Sequence, residues 1–130
     1  MTASRRLPAR RFSGRILAWL DATTYLKIRS GTEHRFIWIW VVVVNERVFA
    51  RSWNDKPGGW YRAFLAEPRG AILVGEREIA IRARKAASQR VVVAAEAAYA
   101  AKYTTPASRR YVIGFKRPRR RSTNIELVPR

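Results

Sequence analysis

The sequence predicts a mainly β fold with a few helices: a small antiparallel split β-barrel of about six strands with two to three flanking helices. Three observations carry this. The longest apolar run, Phe36–Val44, covers nine residues. That suits one strand of about 30 Å and falls well short of the roughly 20 residues a membrane helix needs. Two tight turns, Asn45-Glu46 and Gly75-Glu76, each separate segments of β character. Finally, the order helix, strand, hairpin, helix, hairpin, helix, strand provides few helices, so the sheet must cover itself.

In chain order, Met1–Ser13 is basic and polar and is expected to be a disordered arm, leaving a single domain over residues 14–130. Gly14–Ala22 is expected to be a short helix packing Ile16, Leu17 and Leu20. Its apolar core before Asp21 is too short for a secretory signal. Thr24–Arg29 alternates as a half-buried strand, with Leu26 and Ile28 on one face, and Ser30–His34 is a turn. Alternation over Phe36–Val44 sets Phe36, Trp38, Trp40, Val42 and Val44 against Ile37, Ile39, Val41 and Val43. Both faces are apolar, so both should be covered, by a central position in the sheet or by a second subunit; a homodimer is expected.

Asn45 can take φ > 0, which makes Asn45-Glu46 a hairpin turn with Val48–Trp53 returning antiparallel. Asn54–Gly59 is loop chemistry at every position, and Trp60–Glu67 has helical spacing ended by Pro68 and Gly70. Ala71–Val74 and Arg77–Arg84 form the second hairpin, with Ile79, Ile81 and Ala83 facing the core. Ala86–Tyr103 favours helix with Ser88 as N-cap, although Val91-Val92-Val93 could extend a strand. Tyr111–Phe115 is a short apolar segment, Lys116–Arg121 reads as a basic loop, and Thr123–Val128 closes the sheet.

Composition bounds the chemistry. With no cysteine and one histidine, His34, thiolate catalysis, cysteine-ligated zinc, a histidine-rich metal site and a Ser-His-Asp triad have few or no parts. A chain without cysteine suits the reducing cytoplasm. The net charge is +18, concentrated at the ends: residues 1–15 hold five arginines and no acid, and residues 109–130 hold eight basic residues and Glu126. Such charge attracts polyanions whatever the fold, so the terminal Arg runs are expected to bind nucleic acid without sequence preference.

The loop before Trp60 leads into a helix start, where backbone N–H groups can meet an anion, and Arg51, Lys56 and Arg62 surround it. A surface loop with solvated charges is the alternative reading. Lys27, Arg29 and Arg35 similarly flank the Ser30-Gly31 turn.

Three stretches carry a family resemblance: Ile37-Trp38 through the valines to Phe49-Ala50-Arg51-Ser52-Trp53 and Gly59-Trp60-Tyr61-Arg62-Ala63; Ala98-Tyr99-Ala100-Ala101-Lys102-Tyr103; and Thr123–Arg130. Together they resemble an uncharacterised bacterial family, domain of unknown function twenty-two fifty-five, over about residues 16–130. More distantly, the chain is similar to the deazaflavin-dependent nitroreductase family and its flavin-binding split-barrel relatives. Ser30-Gly31, Ser52 and Trp60-Tyr61 stand in corresponding order, and Glu67-Pro68 resembles that family's helix end. This likeness implies a phosphorylated cofactor, flavin mononucleotide or a deazaflavin, bound on a dimeric barrel for a redox reaction. The implied anion contacts are Arg29, Arg35, Arg51, Ser52 and Lys56, and the implied aromatic wall is Trp53, Trp60 and Tyr61. Packing is the simpler role for Trp60. The alternative functions are a nucleic-acid-associated basic protein and a ligand-binding or structural protein without catalysis.

Overall fold

The computed structural model describes residues 11–130. Seven antiparallel strands form one sheet: β1 (Leu26–Ser30), β2 (Ile37–Ile39), β3 (Val42–Val44), β4 (Arg47–Ala50), β5 (Arg69–Val74), β6 (Arg77–Lys85) and β7 (Ile125–Pro129). Their order is β2-β1-β5-β6-β7-β4-β3. The two end strands, β2 and β3, are halves of the single apolar run, separated only by Trp40 and Val41. A flat sheet cannot place its two ends two residues apart, so this one curls into a half-barrel. The helices are α1 (Gly14–Ala22), α2 (Trp60–Ala66), α3 (Gln89–Lys102), α4 (Arg109–Gly114) and α5 (Pro118–Arg121), with a 3-10 turn at Pro106–Ser108.

The expected fold class is therefore found, with one more strand and more helices than the sequence indicated. The extra strand comes from the break in Phe36–Val44, and its cause is visible. At Val41 the backbone leaves both ladders, and side chains at the C-terminal end of α3 take its polar groups. The Val41 N–H donates to Tyr103 Oη at 3.1 Å, and Lys102 Nζ donates to the Val41 carbonyl at 2.7 Å and the Leu20 carbonyl at 2.9 Å. Trp40 stacks on Tyr103 with ring centroids 3.9 Å apart. The Ala98–Tyr103 motif is thus the clamp that lets one strand turn the corner of the barrel.

The period-two reading of this run holds across the break. Ile37, Ile39, Val41 and Val43 pack into the barrel interior with Leu20, Leu26, Ile28, Ile72, Ile81 and Leu127. Trp40, Val42 and Val44 pack into a second, outer cluster with Phe49, Tyr99, Tyr103, Val112 and Phe115. The outer face is covered by α3 and α4, so its apolar character requires no second subunit. Only Trp38 remains open, 63% exposed against Tyr25. Each large side chain buried in these clusters contributes about 1.5–3 kcal/mol.

Asn45 and Glu46 both adopt positive φ, 49° and 64°, as a two-residue hairpin turn requires. Ser88 caps α3, and Val91–Val93 is helical. Where the sequence indicates a short apolar segment over Tyr111–Phe115 and a basic loop over Lys116–Arg121, the chain instead forms α4 and α5, joined by residues 115–117. Pro118 opens α5, where a missing N–H costs nothing. Of the expected arm over 1–13, residues 1–10 lie outside the described residues. Phe12 is buried in the barrel core and Ser13 caps α1, accepting from the Ile16 N–H at 3.3 Å. Gly70 marks a position where β5 and β1 leave no room for a side chain, since a Cβ there would clash with the Arg29 carbonyl oxygen.

Candidate functional site

Strand β4 ends at Ala50, and the next residues decide what the expected site can be. Arg51 turns inward, with its side chain wholly buried. It donates to Glu96 Oε2 at 2.9 Å, to the Phe115 carbonyl at 2.7 Å, to Asn124 Oδ1 at 3.1 and 3.3 Å, and to the Val92 carbonyl at 3.3 Å. Glu96 is held from its other side by Arg121. Burial pushes the Glu96 carboxyl up, but hydrogen bonds from Arg121 and Arg51 outweigh it and leave the pKa below the ordinary range. This buried knot ties α3, α4 and the β7 entrance to the strand end. Arg51 has no donor left for a cofactor phosphate, which corrects the expectation drawn from its position in the sequence. Tyr61 is likewise buried, with its hydroxyl donating to the Ser122 carbonyl at 3.3 Å, and forms no wall.

The other six expected residues meet. Arg29, Arg35, Ser52, Trp53, Lys56 and Trp60 line a single cleft of about 410 Å³, together with Ile28, Ile37 and His34. The cleft lies where β1 and its turn face the end of β4 and the start of α2. No acidic side chain lines it. Arg35, Lys56 and His34 are exposed and make no ion pair or side-chain hydrogen bond among the described residues. Arg29 reaches Glu78 at 3.3 Å and lies 4.5 Å from the Phe36 ring centroid. Its buried Nε has no partner among the described residues.

The small polar groups of this cleft are already committed. Ser30 Oγ donates to the carbonyls of Ala63 and Glu67 at 3.1 and 2.7 Å, closing the end of α2. The Gly31 N–H goes to the Arg69 carbonyl and the Gly59 N–H to the Lys56 carbonyl. Ser52 donates its N–H to Thr123 Oγ1 at 2.9 Å and its hydroxyl to the Asn54 carbonyl at 3.0 Å. A phosphate cradle built from the Ser-Gly turn or from Ser52 is therefore not what the chain offers. Recognition of an anion rests on the cations. Arg62, also near the loop, is paired with Asp55 at 2.7 Å.

A second, larger cleft of about 880 Å³ adjoins the first and shares Trp53, Asn54 and Lys56 with it. Its other wall is α4 and α5, with Arg110, Tyr111, Ile113, Arg117, Arg119 and Arg120. Trp53 is fixed between the two. The Arg120 guanidinium lies 3.5 Å from its ring centroid and donates to its carbonyl at 2.9 Å. Tyr111 meets it edge-on at 4.8 Å, and a Cβ at Gly114 would stand 2.4 Å from Trp53 Cη2. The sequence shows the basic run that lines this cleft but not the cleft itself. Its signal is Tyr111 and the Lys116–Arg121 run, whose charge density suggests a loop, whereas Pro118 starts a helical turn that folds them onto Trp53.

Among the described residues there is no group of three His, Cys, Asp or Glu that could hold a metal. None of the described helices is long and apolar enough to cross a membrane.

The model of a family described as "Uncharacterized protein conserved in bacteria (DUF2255)" matches residues 16–127. The chain belongs to this family. No curated protein matches it by sequence. Among solved structures, it is similar to a "Putative Pyridoxamine 5'-phosphate oxidase" from Listeria innocua, with a TM-score of 0.60 and 13% identity over 88% of this chain and 90% of that one. It is also similar to the conserved hypothetical protein Rv2991 from Mycobacterium tuberculosis, with a TM-score of 0.57 and 9% identity over 96% of this chain and 83% of that one. At such identities the likeness shows the fold: this DUF2255 chain has a split-barrel-like architecture, as the strand order indicates.

Proposed function

We propose that the 410 Å³ cleft binds a phosphorylated flavin or deazaflavin cofactor. The observation that carries this reading is the convergence of Arg29, Arg35 and Lys56 in a concave, acid-free cleft with Trp53 and Trp60 in its wall. Its volume falls within the about 300–1,000 Å³ usual for small-molecule sites. The unpartnered Arg29 Nε is the kind of buried donor that an anionic ligand satisfies.

In this reading Arg29, Arg35 and Lys56 neutralise the phosphate. Trp53 and Trp60 flank the ring, with Trp53 held rigid by Arg120 and Tyr111, and Ile28 and Ile37 keep water from its face. A bound flavin or deazaflavin supplies hydride chemistry, which no side chain here offers.

Titration with flavin mononucleotide and with the deazaflavin cofactor, followed by tryptophan fluorescence, tests the reading. Arg35→Ala and Lys56→Ala should each weaken binding by about 1–3 kcal/mol, the scale of a charge-assisted hydrogen bond. Binding that ignores both substitutions would place the ligand elsewhere.

A further inference from the structure

The eight basic residues of the C-terminal stretch do not share one role. Arg121 is bound to the buried Glu96, and Arg120 to the ring and carbonyl of Trp53. Arg110, Arg117 and Arg119 make no ion pair among the described residues, and all three project into the 880 Å³ cleft with Lys56. The only acid lining that cleft, Asp55, is paired with Arg62. Four cations that make no ion pair among the described residues therefore line one concave surface, beside the aromatic rings of Trp53 and Tyr111 and the 57% exposed Ile113.

We infer that this cleft is a binding site for a row of phosphate groups, either a single-stranded nucleic acid or a free oligophosphate. A lone phosphate satisfies one or two guanidinium groups, whereas four cations spread along a cleft twice the volume of its neighbour match an extended anion. Aromatic and apolar side chains at the rim suit bases lying against them without sequence readout. Helix α5 makes the site: it turns Arg120 and Arg121 inward as anchors and leaves Arg117 and Arg119 facing the cleft.

The site is separable from the cofactor cleft, because Arg110, Arg117 and Arg119 do not line the latter. Lys56 lines both and is left intact in the test. The triple variant Arg110→Ser, Arg117→Ser, Arg119→Ser is compared with a control that removes three exposed arginines elsewhere, Arg77→Ser, Arg82→Ser, Arg90→Ser. Both lose the same charge. Fluorescence anisotropy with an oligothymidylate of about twelve nucleotides (a length within the range one small barrel engages) gives the affinity. Calorimetry with tripolyphosphate measures the second ligand.

Four phosphate contacts give a salt slope of about −2.8, a loss of about 50-fold between 0.05 and 0.2 M salt. The cleft variant should keep about one contact, with a loss of about threefold over the same range. The control should stay near the unmodified protein. Binding of the oligonucleotide identifies a nucleic-acid strand, and binding of tripolyphosphate alone identifies a free oligophosphate. Equal weakening in the cleft variant and the control, or binding of neither ligand, would overturn the assignment. If the triple variant does not fold, Arg117→Ser alone, which places a favourable N-cap on α5, should lower the slope by about 0.7.

Discussion

Replacing Arg51 by methionine separates the arginine that builds the fold from those that line the clefts. The guanidinium is wholly buried and serves Glu96, Asn124 and the carbonyls of Val92 and Phe115. Methionine fills much of the volume but donates nothing. Asn124 Oδ1 and the Phe115 carbonyl lose the bonds Arg51 made, at about 1–3 kcal/mol for each acceptor left without a donor. Removing one partner of a buried ion pair costs about 3–5 kcal/mol. Glu96 retains Arg121, which holds the loss to the lower part of that range, about 3–4 kcal/mol. Urea titration reads this directly: with a slope of about 1–3 kcal/mol per molar, the midpoint should fall by about 2 M. Arg35→Met, at an exposed side chain, should change stability by no more than about 0.5 kcal/mol. A loss below about 1 kcal/mol for Arg51→Met would refute the buried-knot account and return Arg51 to the ligand side.

Further outcomes are expected. Tyr103→Phe should cost about 1–3 kcal/mol, because the Val41 N–H loses its acceptor at the barrel corner. Tyr99→Phe should cost nothing or stabilise, since the buried Tyr99 hydroxyl has no partner among the described residues; thermal denaturation of the pair would compare them. Phe12→Ala should lose about 3–5 kcal/mol, whereas deletion of residues 1–10 alone tests the expected arm by leaving the melting temperature unchanged. Glu96 and Glu126 are pushed up by burial but held below their ordinary pKa of 4.5 by two arginines each. The folded chain then binds fewer protons than the unfolded one in acid. Their contribution is complete above pH 4.5 and is lost as pH falls through the lowered values, so Glu126→Gln should flatten the acid limb of a stability profile. We propose a homodimer through the exposed Trp38 and Tyr25 beside edge strand β2. Light scattering should then report twice the 15.0 kDa chain mass, and a 15.0 kDa species at micromolar concentration would contradict it.

Local pattern made most of the fold legible. The two hairpins, the helix over Gly14–Ala22, the helix start at Ser88, and the alternating faces of residues 37–44 all follow from periodicity and turn chemistry. The break at Val41 did not, because its cause sits sixty residues away in Lys102 and Tyr103 and leaves no local mark. The cleft was legible in part for the same reason. Arg29, Arg35, Lys56, Trp53 and Trp60 converge through the turn after β1 and the loop after β4, both marked locally by turn residues. Arg51 looked like its neighbours in sequence; only the tertiary placement of Glu96 and Asn124 distinguishes a structural guanidinium from a free one. The second cleft leaves little trace in the sequence because Pro118–Arg121, dense in charge, has the composition of a loop although its first proline starts a helical turn.

The most direct measurement is a fluorescence titration of the full chain with flavin mononucleotide and, separately, with the deazaflavin cofactor, repeated on Arg35→Ala and Lys56→Ala. Saturable one-to-one binding with quenching of tryptophan emission, a dissociation constant below about 100 μM, and weakening in both variants are expected. Absence of binding by either cofactor at about 100 μM would contradict the proposed function while leaving the split-barrel fold in place.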